Sequence, residues 1–307
     1  MHVALLLLSQ AALALSLSAN KWGYGVDDGP DKWGSFAPTC SSGKKQSPVA
    51  LAVKDATEDT ALGMLTFTGY DAPPMAMKVE NNGHTLSVTT NGTMTISNGG
   101  LNGTYQVSGF HFHWGSDNTK GSEHTLDGSR YPAELHIVHY LSSASDVTSA
   151  MSMPDGLAVL GFMLDGGGGK QATLDKLLSV FASDKSEGHS EWLSAPFALN
   201  DLLPTNREKF LRYKGSLTTP GCNEVVTWTV FISTIQVADS QLATLRELKY
   251  NDTNGTQALQ DNYRPLQSLN GRKIKANFKK TGGTGGAAGS YVSLGPLGLL
   301  LCLFHLR

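Results

Sequence analysis

The chain has few charges, few cysteines and little helical periodicity. Charged residues make up 16% of its 307 residues, against roughly 25% in an average domain. With 24 Lys+Arg against 26 Asp+Glu the net charge is -2, which excludes a protein that holds nucleic acid by charge, since nothing would neutralise a run of phosphates. Low charge combined with 40% apolar residues also excludes disorder of the highly charged, weakly hydrophobic kind. Only residues 171–182, with Leu174, Leu177, Leu178 and Phe181 on one face, and residues 240–248, with Asp239 as the N-cap, have helical spacing. The 34 glycines favour many turns and short strands instead. No repeat and no linker-like break interrupts residues 20–280, so this stretch reads as one domain.

Long apolar runs are missing from that domain and occur at both ends. Residues 3–17 (VALLLLSQAALALSL) precede the small residues Ser18 and Ala19. They read as a secretory signal over residues 1–19, although a basic leading segment is missing. A buried first helix is the alternative, but the stretch has neither a capping residue nor a polar face. At the other end, residues 281–307 form a Gly-rich spacer followed by an apolar tail over 292–306 that contains Pro296. This tail is shorter than the ~20 residues of a membrane-crossing helix. Small residues, spacer and tail together read as a glycosylphosphatidylinositol (GPI) attachment signal whose tail is removed, with attachment within 283–290, taken as Gly286; a short membrane span is the alternative. The expected location is the extracellular face of the plasma membrane, with the membrane contacted only through the lipid. The N-glycosylation triplets at Asn91, Asn102, Asn251 and Asn254 fit passage through the secretory pathway. Of the three cysteines, Cys302 lies in the tail, which leaves Cys40 and Cys222 as an even pair expected to form one disulfide.

The interior reads as strands at 86–90, 93–97, 104–114, 134–140, 157–164 and 225–232, separated by Gly, Asn, Asp and Pro. Two of them carry chemistry. In FHFHWG, His111 and His113 share one face of a strand while Phe110, Phe112 and Trp114 share the other. In ELHIVHY, Glu134, His136 and Val138 share a face opposite Leu135, Ile137 and His139. If the strands are neighbours, His136 completes a three-histidine set, and Glu134 accepts the second ring N–H of a ligand. Three protein ligands leave a fourth position open, the pattern of a catalytic zinc site. Isolated strand histidines are ordinarily satisfied polar residues, and His124, His139 and His189 are read that way. Val226 and Trp228, two apart, can share one apolar wall, and plain core packing is the ordinary role of such residues.

Nine ordered segments carry a family resemblance: WGYG at 22–25, QSPV at 46–49, NNGH at 81–84, FHFHWG at 110–115, GSEHT at 121–125, AELHIVH at 133–139, AVLGF at 158–162, GSLTTPGC at 215–222 and NYRPLQ at 262–267. In these the chain resembles the α-carbonic anhydrases across nearly all of its folded part, and its ends resemble the extracellular, membrane-linked branch. The resemblance implies a mainly β (α+β) single domain: a central twisted, mostly antiparallel sheet of about ten strands, a few surface helices and a conical zinc cleft. It implies reversible hydration of CO2 to bicarbonate, with CO2/bicarbonate as the small-molecule pair and Zn2+ as cofactor.

Residue by residue, the resemblance makes His111, His113 and His136 the zinc ligands. Thr218 would bond the zinc-bound hydroxide and donate its own proton to Glu123, and Thr219 would bond bicarbonate or solvent. Val138, Val159, Leu217, Val226 and Trp228 would form the apolar wall that receives CO2. His84 would shuttle protons from an exposed, mobile position, with Tyr24, Asn82 and Ser87 holding the water path. The Cys40–Cys222 bridge would tie down the LTTP loop. Two departures stand out: Gly109 replaces the Gln common two residues before the first ligand, so that water or a backbone group is expected at His111, and three cysteines cannot supply a further N-terminal disulfide. The alternatives are a catalytically inactive binding module of the same family and a zinc ester hydrolase that uses the same nucleophile.

Overall fold

A computed structural model describes residues 22–252 and 255–280. The expected signal, spacer and tail, with Cys302 and Asn254, lie outside the described residues. Among those described, no helix is long and apolar enough to cross a membrane.

Seven strands form the centre of a 13-stranded sheet: β1 (Ala76–Asn81), β2 (Leu86–Asn91), β3 (Tyr105–Trp114), β4 (Ala133–Leu141), β5 (Leu157–Asp165), β6 (Phe210–Gly215) and β7 (Val226–Phe231). Their order across the sheet is β1-β2-β3-β4-β5-β7-β6, extended at the two edges by Ser190–Trp192 and by Lys275–Ala276 with Thr57–Glu58. All neighbours among the seven are antiparallel except β5 and β7.

Apolar clusters cover both faces. Phe110, Phe112, Trp114, Leu135 and Ile137 join the core on one side. Val159, Leu211, Tyr213, Val226 and Trp228 join a second cluster on the other. A bulge in β3 decides which histidines go where. Its register against β4 runs Val107↔His139 and then Gly109↔Val138, so Ser108 is the extra residue. The bulge moves the core-facing set from the odd positions Tyr105 and Val107 to the even positions Phe110, Phe112 and Trp114, because one inserted residue reverses every side chain beyond it. His111 and His113 are thereby turned to the opposite face.

Two helices lie where helical spacing was read, with different ends. The first, α1 (Ala172–Ser179), is capped by Gln171, whose side chain accepts from the N–H groups of Thr173 and Leu174. It ends before Phe181, which is nonetheless buried. The second, α2 (Asp239–Arg246), has Ala238 as its N-cap rather than the expected Asp239. Gln241 accepts from the Ala238 N–H at 3.1 Å, while the Asp239 carboxylate is engaged by Asn118 and by the N–H of Gly167.

Candidate metal centre

His111 lies directly opposite His136 across the β3–β4 ladder, and His113 opposite Glu134. Their rings meet edge to face, with His111 centroids 5.0 Å from His113 and 5.3 Å from His136. One ring nitrogen from each of the three lies within 4.8 Å of the others. His113 and His136 are buried and His111 is half-buried. Burial and the neighbouring rings push His111 well below the ordinary histidine range, and burial lowers His113 despite the Glu123 carboxylate beside it. Both imidazoles are neutral at physiological pH, the form that binds a metal.

The rear nitrogens of two rings are held by protein. His113 Nδ1 donates to the Asn262 carbonyl at 2.7 Å, which leaves Nε2 to face His136 Nδ1 at 3.1 Å. His136 Nε2 is bonded to Glu134 Oε1 at 2.8 Å. No protein hydrogen bond reaches the His111 ring among the described residues. At Gly109 a Cβ would stand 2.6 Å from the Val88 carbonyl oxygen, so this spacing of β2 and β3 has no room for the glutamine of the family pattern.

Glu123 is fully buried. Its Oε1 accepts the Arg264 N–H at 2.8 Å. Oε2 has no hydrogen-bond partner and lies 3.6 Å from His113 Nε2 and 3.8 Å from His136 Nδ1. A buried carboxylate oxygen left unpaired is costly unless something in the site answers it. Three convergent imidazoles with this oxygen beside them fit zinc. The expected bond from Thr218 to Glu123 is not formed: one carboxylate oxygen is occupied by Arg264 and the other is turned to the histidines.

Thr218 is buried and Thr219 half-buried in the loop after β6. That loop is tightened by the Cys222 N–H donating to the Thr219 carbonyl and by the Cys40–Cys222 disulfide, as expected. Val159 pairs with Val138 on one side and Trp228 on the other. Val226 shares their cluster, and Val138 and Leu217 pack on it half-buried. The Trp228 ring centroid is 4.7 Å from that of His136, so the five apolar residues of the expected wall are brought together next to the histidines.

His84 departs from expectation. Its ring is half-buried and stacked on Trp22, with centroids 3.7 Å apart and planes 4° from parallel, in a recess also lined by Tyr24, Gly83 and Tyr250. It is not fully exposed, because the Trp22 face covers it. Asn82 is exposed, and its side chain accepts from the N–H groups of His84 and Thr85, which shapes the turn. Ser87 pairs with His111 across the ladder. Burial, then the Glu123 charge, raises Tyr24 well above its ordinary pKa. Asn91, Asn102 and Asn251 are exposed.

The residue that sequence reasoning missed is His124. It is fully buried, bonds Glu134 Oε1 through Nδ1 at 2.7 Å and donates its main-chain N–H to Oε2 at 2.8 Å. Its Nε2 meets Tyr213 Oη at 2.6 Å, and Tyr213 donates to Ser47 at 2.8 Å. Burial pushes the Glu134 carboxyl up, but the two rings and their hydrogen bonds outweigh it and hold the group well below the usual carboxylate range. The Glu-x-His pattern marked Glu134, but only a contact ten residues away in sequence recruits His124. His189 sits elsewhere, near Asp184 and Glu191.

Comparison with known proteins agrees with this geometry. The family model of eukaryotic-type carbonic anhydrases matches residues 28–278. The chain is 37% identical to carbonic anhydrase 1 of Mus musculus over 271 residues, covering 85% of this chain and 100% of the relative. It is 36% identical to carbonic anhydrase 7 of Homo sapiens over 263 residues, covering 84% and 97%. It is also 36% identical to carbonic anhydrase 4 of Oryctolagus cuniculus over 275 residues, covering 89% and 84%. With the sheet, the facing histidines and near end-to-end similarity in agreement, the chain belongs to the eukaryotic-type carbonic anhydrase family.

Proposed function

We propose that this protein catalyses the reversible hydration of CO2 to bicarbonate and a proton, with zinc held by His111, His113 and His136. The observation that carries the reading is the convergence of three imidazoles from two adjacent strands on one point beside the unpaired Oε2 of Glu123. When bound, zinc supplies the Lewis acidity that makes water nucleophilic near neutral pH, a behaviour for which carbonic anhydrases are themselves the usual illustration. Glu134 holds His136 in the tautomer that offers Nδ1, and the Asn262 carbonyl does the same for Nε2 of His113. Val138, Val159, Leu217, Val226 and Trp228 receive an apolar, electrophilic substrate and keep bulk water from it. Thr218 and Thr219 orient the reacting oxygens, which requires the Thr218 hydroxyl to turn to Glu123. His84, an imidazole that can both take up and release a proton, accepts the released proton through water held near Tyr24, Asn82 and Ser87.

Stopped-flow CO2 hydration by the purified protein, with zinc measured in the same sample, tests the reading. One zinc per chain with activity lost on chelation and restored by zinc is expected. Metal bound without hydration would instead support the inactive binding module. His111→Ala, His113→Ala and His136→Ala should each lose tight zinc binding.

We further propose residues 1–19 as a secretory signal, 20–280 as the catalytic domain and 281–307 as the GPI-attachment signal, placing the domain outside the cell, glycosylated at Asn91, Asn102, Asn251 and Asn254. The Cys40–Cys222 disulfide supports an oxidising compartment. Phosphatidylinositol-specific phospholipase should free the protein from intact cells. Retention while a control anchored protein is released would favour a short membrane span.

A further inference from the structure

The turn that carries His84 is fastened to the metal-centre strand through one buried amide. Asn262 has no solvent exposure and uses both ends of its side chain. Oδ1 accepts the Trp114 N–H at 2.7 Å. Nδ2 donates to the His84 main-chain carbonyl at 2.9 Å and, at a longer 3.4 Å, to the Phe112 carbonyl. The main-chain carbonyl of the same residue holds His113 Nδ1. One residue therefore touches both the strand that carries two metal-centre histidines and the residue read as the proton acceptor.

The other bonds of the turn do less. Asn81 Oδ1 accepts from Gly83 N–H and Asn82 Oδ1 from His84 and Thr85 N–H, which fixes the shape of the turn but not its distance from β3. Thr85 bonds Phe112 and ties down the end of the turn beyond His84. Trp22 supports the ring from outside. Of these contacts, the one from Asn262 ties the His84 backbone itself to β3.

We infer that Asn262 is a positioning residue that sets the reach of His84 from the metal centre, and so the rate at which protons leave, without contributing its side chain to metal affinity. The inference rests on the reading of His84 as proton acceptor. Its physical basis is that transfer along water needs fixed spacing at both ends, and a turn whose backbone loses its hydrogen bond to the neighbouring strand samples displaced positions. The division of labour within Asn262 makes it separable: the carbonyl that holds His113 survives any substitution, whereas the donor to His84 does not.

Asn262→Ala removes the donor to the His84 carbonyl along with the acceptor for Trp114 N–H, and unlike a buried Asp it cannot take up a proton and restore the donor. In weak buffer kcat should fall about fivefold, the shift that loss of one ordinary hydrogen bond produces. It should recover with added imidazole, with kcat/KM for CO2 little changed. Zinc affinity by chelator competition should change by less than the roughly tenfold expected when a ligand loses its outer hydrogen bond. The NMR signals of the His84 ring should lose the upfield shift caused by Trp22 stacking, in zinc-loaded and zinc-free protein alike.

Unchanged kcat with unchanged ring signals would overturn the inference. So would a parallel fall of kcat, kcat/KM and zinc affinity, the mark of a purely structural role. His84→Ala separates the two readings, because if kcat survives it, His84 is not the acceptor, while the ring signals still show whether Asn262 holds the turn. Should the variant fail to fold, 15N relaxation on the unaltered protein decides. Order parameters for residues 82–85 should match the roughly 0.85 of rigid backbone, and values below about 0.6 would rule out a fastened turn.

Discussion

His136 and His139 stand three residues apart on β4 and take opposite faces, and the face determines their chemistry. His136 enters the cluster of imidazoles. His139 is fully buried on the other side, with Nδ1 near the carbonyls of Ile137 at 3.0 Å and Ala158 at 3.2 Å and Nε2 against the Tyr70 hydroxyl. Two carbonyls can only accept, so Nδ1 carries the proton and Nε2 receives the Tyr70 O–H. Burial lowers its pKa from 6.5 to about 3. A pKa depressed on folding means that the unfolded chain binds the proton first as pH falls. The contribution to stability is complete above about pH 6.5 and drains away toward pH 3, at up to about 1.4 kcal/mol per pH unit. His139→Gln, which cannot titrate, should cost stability near pH 7. Its urea midpoint should then fall less steeply than that of the unaltered protein down to about pH 4, so the gap between them closes. Parallel profiles would assign the acid sensitivity to other groups.

At the scale of elements, what was legible was whatever had a period. FHFHW and the ELHI that opens ELHIVHY alternate, so the facing of His111, His113, Glu134 and His136 could be read before any fold was known. Strand β1 also alternates, with Met77, Val79 and Asn81 buried between Pro74 and Gly83, and that signal could have found it. Strand β6 could not be found this way, because Phe210, Leu211, Arg212 and Tyr213 are all buried and leave no polar phase. The Ser108 bulge was invisible because one extra residue leaves the local composition unchanged. It is what lets the Val107 side and the Phe110 side both face the core. Gly109, beside the bulge, makes this testable. A methyl group there would meet the Val88 carbonyl at 2.6 Å, and backbone cannot rotate away as a side chain can. Gly109→Ala should destabilise by about 1–3 kcal/mol, read from the urea midpoint at unchanged m-value. A neutral result would mean that β2 and β3 part easily and that packing does not require the glycine.

Across the whole molecule, the site is assembled from segments that no local pattern connects. Arg264 gives its N–H to Glu123, while its buried guanidinium bonds Gln46 and the carbonyls of Ser47 and Cys40. Gln46 in turn donates to the Cys222 carbonyl. These contacts span most of the chain, which is why Arg264, Asn262 and Ser47 could be placed in family motifs and yet not given a structural task from sequence, and why Tyr213 was not singled out at all. The disulfide closes the same circuit covalently across a separation of 182 residues. A loop of that length restricts the unfolded chain strongly, and the chain-entropy model puts the effect near an upper value of about 5 kcal/mol. The native polar contacts around it remain when the sulfurs are removed, so the folded state should change little. Cys40→Ser with Cys222→Ser should therefore lower unfolding free energy by about 3–5 kcal/mol while zinc stoichiometry in the folded protein is retained. A loss below about 1 kcal/mol would show that the unfolded chain is already compact enough to hold these segments near each other. Loss of zinc from still-folded protein would show instead that the bridge shapes the site directly. The separation of those two outcomes tells whether the disulfide acts on the unfolded chain or on the loop that carries Thr218 and Thr219.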